Sequence, residues 1–468
     1  MYGLEGFTTD FNILADIFNR PWFSRMWTIQ ELVLGFRASI LCGQSELLWS
    51  DFLPAIACLA NFEQATTKVF VNESLYYYKL SIYQKLRNYI HPQLALALGP
   101  WDKRMSKILA SVHALSSQNP RDKMYALYGY LTVLGIRNLP PVDYNLPVAQ
   151  VYSDFTKTAI LHDQSLDLLY DLGCKRVIAD LPSWSPDWST YTEHMPIFHE
   201  QFRAAKNSSL RFIFTEGELH LPGIVIDTVK RRPRSSIPPE VSIELGRSQN
   251  VYLPNMIQRV QTWQEWISLA ARLRTSPTGQ EIGEVLFNTL IQNGFIGSLP
   301  HHKLSDQVLK EYPVWLTMLQ AYHPDKAHRE TCIGALDHAV ETALDHPTTW
   351  KVYFSGDQDP LPVINTPEWR IMIAVNYGGA QNIHQWIYKL TAGKTLFTTG
   401  EGYMGIGSDL IQEGDRVVLI PSFNLPMIVR GCEDGSHRFV APAYIHGIMD
   451  GEKWPDNEAD VLTHFVFK

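Results

Sequence analysis

The sequence predicts an α+β protein of several domains, and three observations carry that expectation. Its 468 residues suffice for about three domains at ~150 residues each. Apolar residues recur at helical spacing in the N-terminal third, and 251–344 also reads as mostly helical. The last hundred residues instead alternate short β-rich runs with Gly-Asp and Asp-Gly turn signals. The expected division is a helix-rich N-terminal part (1–135), a mixed α/β body with a helical insertion (136–368), and a mainly β C-terminal module (369–468).

Taken in order, Phe11 to Phe18 suits a short helix with Leu14, Ile17 and Phe18 on one face. Pro21 fits the first turn of a second helix, where its missing N–H costs nothing. Spacing in that helix puts Phe23, Trp27 and Glu31 on one face with Gln30 beside them, and Gly35 ends it. Ser39 to Cys42, closed by Gly43, reads as a buried strand. Ser50 then caps a helix that points Phe52, Ile56 and Leu59 inward. Asn119-Pro120-Arg121-Asp122 is a helix start backed by Met124, Leu127, Tyr128 and Leu131. Val148, Val151, Tyr152, Phe155 and Ala159 mark an amphipathic helix after Pro147. Leu181 to Ser189, rich in Trp, Ser and Pro, is a rigid aromatic loop. Leu210–Phe214 and Leu219–Val229, split by Glu216-Gly217, form a β-hairpin. From about Trp369 the chain returns to strands, at Arg416–Ile420, Met427–Arg430 and Arg438–Val440, with turns at Gly414-Asp415 and Asp434-Gly435. No internal repeat or low-complexity tract is present.

Composition narrows the function. The chain is 45% hydrophobic and 19% charged, which is globular. A formal charge of −8 with no Lys/Arg run argues against nucleic-acid binding. The five cysteines, Cys42, Cys58, Cys174, Cys332 and Cys432, contain no CxxC pair, so neither a zinc site nor a disulfide framework is expected. Met1 to Phe11 lacks the charge and apolar core of a signal peptide, and no run of ~20 apolar residues suggests a membrane span. The expected location is cytoplasmic, with the nucleus as the alternative.

Few residues invite chemistry. Gly400-Glu401-Gly402-Tyr403-Met404-Gly405 fits GxGxxG, but a dinucleotide loop needs a helix after it. Here another strand follows, so a glycine-rich turn in a β module is the better reading. No HExxH, GxSxG or Walker loop occurs, and no metal site is predicted. His446 reads as a structural or hydrogen-bonding histidine. Trp27, Gln30 and Glu31 remain: a carboxylate beside indoles can have a raised pKa and serve acid/base or ribose-binding chemistry. The plainer reading pairs Glu31 with Arg25 or Arg121 and buries Trp22 and Trp27.

These segments, taken together, resemble a known family. Arg20-Pro-Trp-Phe-Ser-Arg-Met-Trp-Thr-Ile-Gln-Glu31, followed by Cys42-Gly43 and Trp49, resembles the third conserved block of the fungal heterokaryon incompatibility (HET) domain. Asn119-Pro-Arg-Asp-Lys-Met-Tyr-Ala-Leu-Tyr-Gly129 and Leu181-Pro-Ser-Trp-Ser-Pro-Asp-Trp188 resemble the segments that follow. Gly402-Tyr-Met-Gly-Ile-Gly407, Gly414-Asp415 and Tyr444-Ile-His-Gly-Ile-Met-Asp-Gly451 resemble the family's C-terminal region. The two earlier blocks, resembling YxxLSYxWG and DAxCINQ, do not occur, so the expectation is a partial, N-terminally truncated HET domain.

The resemblance implies an intracellular fungal protein of nonself recognition and programmed cell death. It implies a TIR-like, flavodoxin-like parallel sheet, in which Ile40-Leu41-Cys42 would need partners on both sides. The leading expectation is a regulatory or interaction protein without enzyme activity or cofactor, whose partners are other proteins or a second copy of itself. Its motif residues are Arg20, Trp22, Phe23, Arg25, Trp27, Gln30, Arg121 and Asp122. One alternative is an NAD-cleaving effector with Glu31 as the catalytic acid, making NAD a substrate. Another is an inactive fragment.

Overall fold

The computed structural model describes residues 20–35, 37–52, 54, 104–190, 197, 199–238, 252–294, 306–320, 332–338, 340, 367, 370–371, 374–375, 380–458 and 461–468. The helix expected over Phe11–Phe18 and the inward residues Ile56 and Leu59 lie outside them. Contacts divide the chain into two units, Met1–Tyr191 with Ser242–Leu245, and Thr192–Val241 with Gly246–Lys468.

The first unit opens with a 3-10 turn, Pro21–Ser24, and then α1, Trp27–Leu34. These are not the single helix that the spacing predicts. Arg25 is extended, because Met26 donates its amide to Ser116 O (2.8 Å) and Ser24 O accepts from Ser116 N (2.6 Å). Pairing with Ser116 thus takes backbone groups that a continuous helical ladder would need. As a result Phe23 is buried, Trp27 half-buried and Glu31 exposed, not three members of one face. Gly35 does follow the last turn, in an extended conformation and not the left-handed one.

Ser39–Cys42 is a strand (β1), but neither buried nor parallel. It pairs antiparallel with β2, Ser45–Leu48, across a tight turn at Gly43, whose φ is +63°. Leu41 is 74% exposed. The edge expected to need a parallel neighbour is met by the very next segment, since a two-residue turn with positive φ favours a hairpin. Among the described residues the flavodoxin-like parallel sheet is therefore not seen. Ser50 lies one residue inside a helical turn that begins at Trp49, and Phe52 is buried.

The remaining helices of this unit are α2 (Met105–Val112), α3 (Asp122–Tyr125), α4 (Tyr128–Val133) and α5 (Val148–Asp163). On α5, Val151, Tyr152, Phe155 and Ala159 are all buried, as their spacing predicts. Asp163 at its end accepts from the amides of Met105 and Ser106 (2.7 and 2.8 Å), capping α2 from another helix. One core joins these elements, from Phe23 and Ile29 through Met124, Leu131 and Phe155 to Trp188.

The second unit is built on a closed ring of strands. β3 (Ile213–Thr215) and β4 (Glu218–Arg231) form the expected hairpin, turning at Glu216 and Gly217 with φ of +51° and +85°. The remaining strands are β5 (Lys394–Thr399), β6 (Met404–Ser408), β7 (Arg416–Leu419), β8 (Met427–Gly431), β9 (His437–Ile445) and β10 (Thr463–Phe467). Among the described residues the pairing runs β4-β5-β6-β9-β8-β7 and back to β4, a six-stranded antiparallel barrel. β4 is long enough for two tasks. Its first half pairs with β10, and its second half pairs with β5 and β7 after register shifts that bend it. The hairpin therefore belongs with the C-terminal strands.

Between β4 and β5, neighbours in the barrel, the chain makes α6 (Tyr252–Ala271), α7 (Ile282–Leu290), α8 (Asp306–Gln320), a helical stretch at 332–338, and α9 (Gln381–Thr391). Among the described residues the first strand after the insertion starts at Lys394, and Trp369 lies outside them. The insertion has its own core, with Trp263 edge-on to Trp315 (5.7 Å) and the Trp315 indole donating to His384 Nδ1 (3.1 Å). α7 packs on β6, so the glycine-rich strands are covered. A Cβ at Gly405 would lie 2.5 Å from the Phe397 ring, so only glycine leaves that ring its place. GxGxxG is accordingly the β5–β6 hairpin and its first strand residues, with Gly402 at φ +96°.

Candidate functional site

Three of the motif segments meet inside the first unit. Trp27 on α1 donates its indole N–H to Asp122 Oδ2 (3.1 Å), and Tyr144 donates its hydroxyl to Asp122 Oδ1 (2.7 Å). One turn later, Gln30 Oε1 accepts from the Gly129 amide (3.2 Å). That amide lies in the first turn of α4, where backbone donors have no helical partner, so Gln30 caps α4 from α1. Glycine permits this close approach: a Cβ at Gly129 would lie 2.6 Å from Leu34 Cδ1 and 2.9 Å from Gln30 Cδ, so both side chains would have to shift.

In the second segment, the helix expected to start at Asn119 begins at Asp122, and Asn119 Oδ1 accepts from the Arg121 amide (3.1 Å) in the turn before it. Arg121 does not pair with Glu31. It donates Nε to Leu146 O (2.7 Å), tying the segment to the start of α5. Lys123 is buried and donates Nζ to His113 O (2.7 Å) and Leu115 O. Burial lowers its pKa to about 8, opposed by the Asp187 carboxylate.

The third segment closes the assembly. His113 packs edge-on to Trp188 (4.9 Å), and its pKa falls to about 4, first from burial and then from the Lys123 charge. Asp187, 4% exposed, accepts from the amides of Val177 (2.8 Å), Ile178 (2.9 Å) and Ser189 (3.0 Å) and from the Ser189 hydroxyl (2.6 Å). Burial alone would raise its pKa, but these donors outweigh burial and hold it below the usual carboxylate range. The loop over Leu181–Ser189 is thus rigid because one carboxylate organises its backbone. Ser185 and Tyr152 join it to α5 and the second segment, through Thr156 Oγ1 (3.0 Å) and Pro120 O (2.9 Å).

Glu31, the acid singled out from sequence, stands exposed on α1. A cavity of about 280 Å³ lies instead beside the second segment, lined by Tyr125, Pro140, Asp143, Gln150, Asp154 and Phe155 among others. Burial raises the Asp154 pKa. Trp22 is half-buried against Phe23 and Trp49, and Arg20 and Arg25 are exposed. Sequence reasoning missed Lys123, Asp163 and Asp187 as organising residues. The available signal was a charged residue inside an apolar helical stripe (Lys123) and an Asp between Pro and Trp (Asp187).

In the second unit, Asp415 of the predicted turn is 2% exposed and takes a two-pronged bond from Arg430 (Nε 2.7 Å, Nη2 2.9 Å). His446 Nε2 donates to Gln280 Oε1 (2.6 Å), and its Nδ1 stands 3.2 Å from the Tyr444 hydroxyl. This is the hydrogen-bonding histidine expected, and it ties the helical insertion to β9. Among the described residues no group of three or more His, Cys, Asp or Glu converges on a metal position.

Residues 374–460 match the Het-6 beta-barrel domain. Along 92% of its length the chain is also 22% identical to heterokaryon incompatibility protein 6, OR allele, of Neurospora crassa. The chain is thus similar to a heterokaryon incompatibility protein over most of its length. It spans 64% of the length of that relative. No solved structure matches it. The barrel extends beyond the matched range, since β4 precedes it, and β10, which pairs with β4, follows it. No described helix is long and apolar enough to cross a membrane.

Proposed function

We propose that this protein acts in heterokaryon incompatibility, the recognition of nonself after cell fusion, as an interaction protein without enzyme activity of its own. The observation that carries the proposal is the similarity to heterokaryon incompatibility protein 6 over 92% of the chain. Further support comes from the use of the motif side chains. The polar groups of Trp27, Gln30, Asp122 and Arg121 are committed to joining α1, α3, α4 and α5. In this reading the motif block is a scaffold, and the response arises when the scaffold or the barrel engages another protein in the cytoplasm. Partners are other proteins, including a second copy of this chain.

The test is to express the full chain in a Neurospora crassa strain and follow hyphal fusion, colony growth and uptake of a vital dye. Growth arrest and dye uptake after fusion, with cellular NAD unchanged, is the expected result. Normal growth and viability, with the protein shown to accumulate, would reject the proposal. The NAD-cleaving alternative has no observation in its favour, because Trp27 and Gln30 point their polar groups at Asp122 and Gly129 and Glu31 is exposed. NAD depletion that Glu31→Ala abolishes would put that alternative in its place.

A further inference from the structure

The first half of β4 brings two histidines together at the C-terminal strand. In the β4–β10 pair, His220 faces Val466 and His464 faces Pro222. The two histidines are therefore diagonal neighbours on one face, close enough for long side chains to meet. They do meet: His220 Nδ1 lies 3.0 Å from His464 Nε2, with ring centroids 5.1 Å apart. Two nitrogens bound tetrahedrally to one zinc at ~2.0–2.1 Å stand roughly 3.3 Å apart. A side-chain opening of a few tenths of an ångström, with a rotation of both rings that turns their lone pairs from each other towards a shared point, would convert this hydrogen-bonded contact into a chelate.

The opposite edge of His220 supplies a second, independent feature. Its Nε2 is buried without a hydrogen bond and faces Glu218 Oε2 at 3.5 Å. A metal-binding histidine commonly gives its remaining ring N–H to a carboxylate, which fixes the tautomer and leaves the other nitrogen free to ligate. In that tautomer Nδ1 presents its lone pair towards His464. Glu218 is shared with Lys468 (3.5 Å), whose ammonium also reaches Asp434 (2.9 Å). His464 is exposed, so an ion can enter and water can complete its coordination.

We propose that His220 and His464 form a two-histidine site for a borderline divalent transition metal, Zn²⁺, Ni²⁺ or Cu²⁺, which staples β10 to β4. Imidazole nitrogens suit these ions. With two protein ligands the site is a chelate completed by water and not a closed cage. Its place matters because β10 joins the barrel through these same pairings, outside the range that matches the family's barrel.

The test uses the full chain, stripped with EDTA and titrated at neutral pH with ZnCl₂ and NiCl₂. Calorimetry and thermal unfolding are read together. One equivalent of metal is expected to bind and to raise the unfolding midpoint. A ligand of the folded state at one hundred times its Kd favours that state about 100-fold. Both effects disappear in His220→Ala and His464→Ala. Glu218→Gln keeps one equivalent but weakens binding by about 10–100-fold. No binding by the wild type, or binding that persists in the folded His464→Ala variant, would overturn the proposal.

Discussion

Replacing Asp187 by Ala removes the acceptor at the centre of the aromatic loop. Three backbone amides and the Ser189 hydroxyl lose their partner at once. A buried donor left unsatisfied costs roughly 1–3 kcal/mol. Val177 is exposed, so water can satisfy part of the deficit. The lower end of the range then applies, and the four donors sum to about 3–4 kcal/mol, a large share of a typical total of ~5–15 kcal/mol. Asp187→Asn keeps one acceptor oxygen and should cost about half as much. Urea unfolding of the full chain, followed by tryptophan fluorescence, measures both, because Trp184 and Trp188 are buried in the same loop. The carboxylate's pKa is depressed in the folded state. Its contribution is therefore complete above the unfolded value of ~3.9 and is lost as pH falls through the lower folded value. A loss below about 1 kcal/mol in Asp187→Ala would refute the view that this carboxylate holds the loop.

Four further outcomes follow from the same geometry. His113 has its pKa lowered to about 4, so its contribution to stability is full above its ordinary 6.5 and is lost as pH falls towards 4. His113→Phe should flatten that limb of a stability–pH curve measured by urea unfolding. Gly405→Ala forces a methyl against the Phe397 ring and should cost about 1–3 kcal/mol by thermal unfolding. Glu31→Ala, at an exposed position, should change stability by less than about 0.5 kcal/mol, whereas Trp27→Phe, which loses the bond to Asp122, should cost about 1 kcal/mol in the same urea assay.

The legible parts of the fold were those governed by local rules. The stripe on α5, the Glu216-Gly217 turn and the strands of β7 to β9 all depend on neighbours in sequence. What could not be read were the tertiary decisions. Ser116, far along the chain, breaks the first helix by pairing with Ser24 and Met26. The run Ser39–Cys42 has the apolar content of a buried strand, yet its turn delivers it to β2 at the surface. The 210–229 hairpin carries no local sign that its partners lie beyond the helical insertion, so its membership of the barrel was invisible. For the site, the density of aromatic and charged groups in Arg20–Glu31 correctly marked an unusual segment. Composition could not distinguish an acid poised for chemistry from side chains that join helices. The bonds from Trp27 to Asp122 and from Gln30 to Gly129 make that distinction.

The central structural claim is that the barrel is closed by β4, a strand contributed from before the helical insertion. Residue-resolved native-state hydrogen exchange on the full chain tests it most directly. The Val229 amide donates to Asp415 O (2.8 Å), and β4 carbonyls accept from Gly400 and Gly414 (2.9 Å each). Amides in the Ile224–Val229 part of β4 and those of Gly400 and Gly414 should be protected to the same free energy as the amides paired between β6 and β9. Fast, loop-like exchange across β4 while β6, β8 and β9 remain protected would show an open sheet and contradict the account.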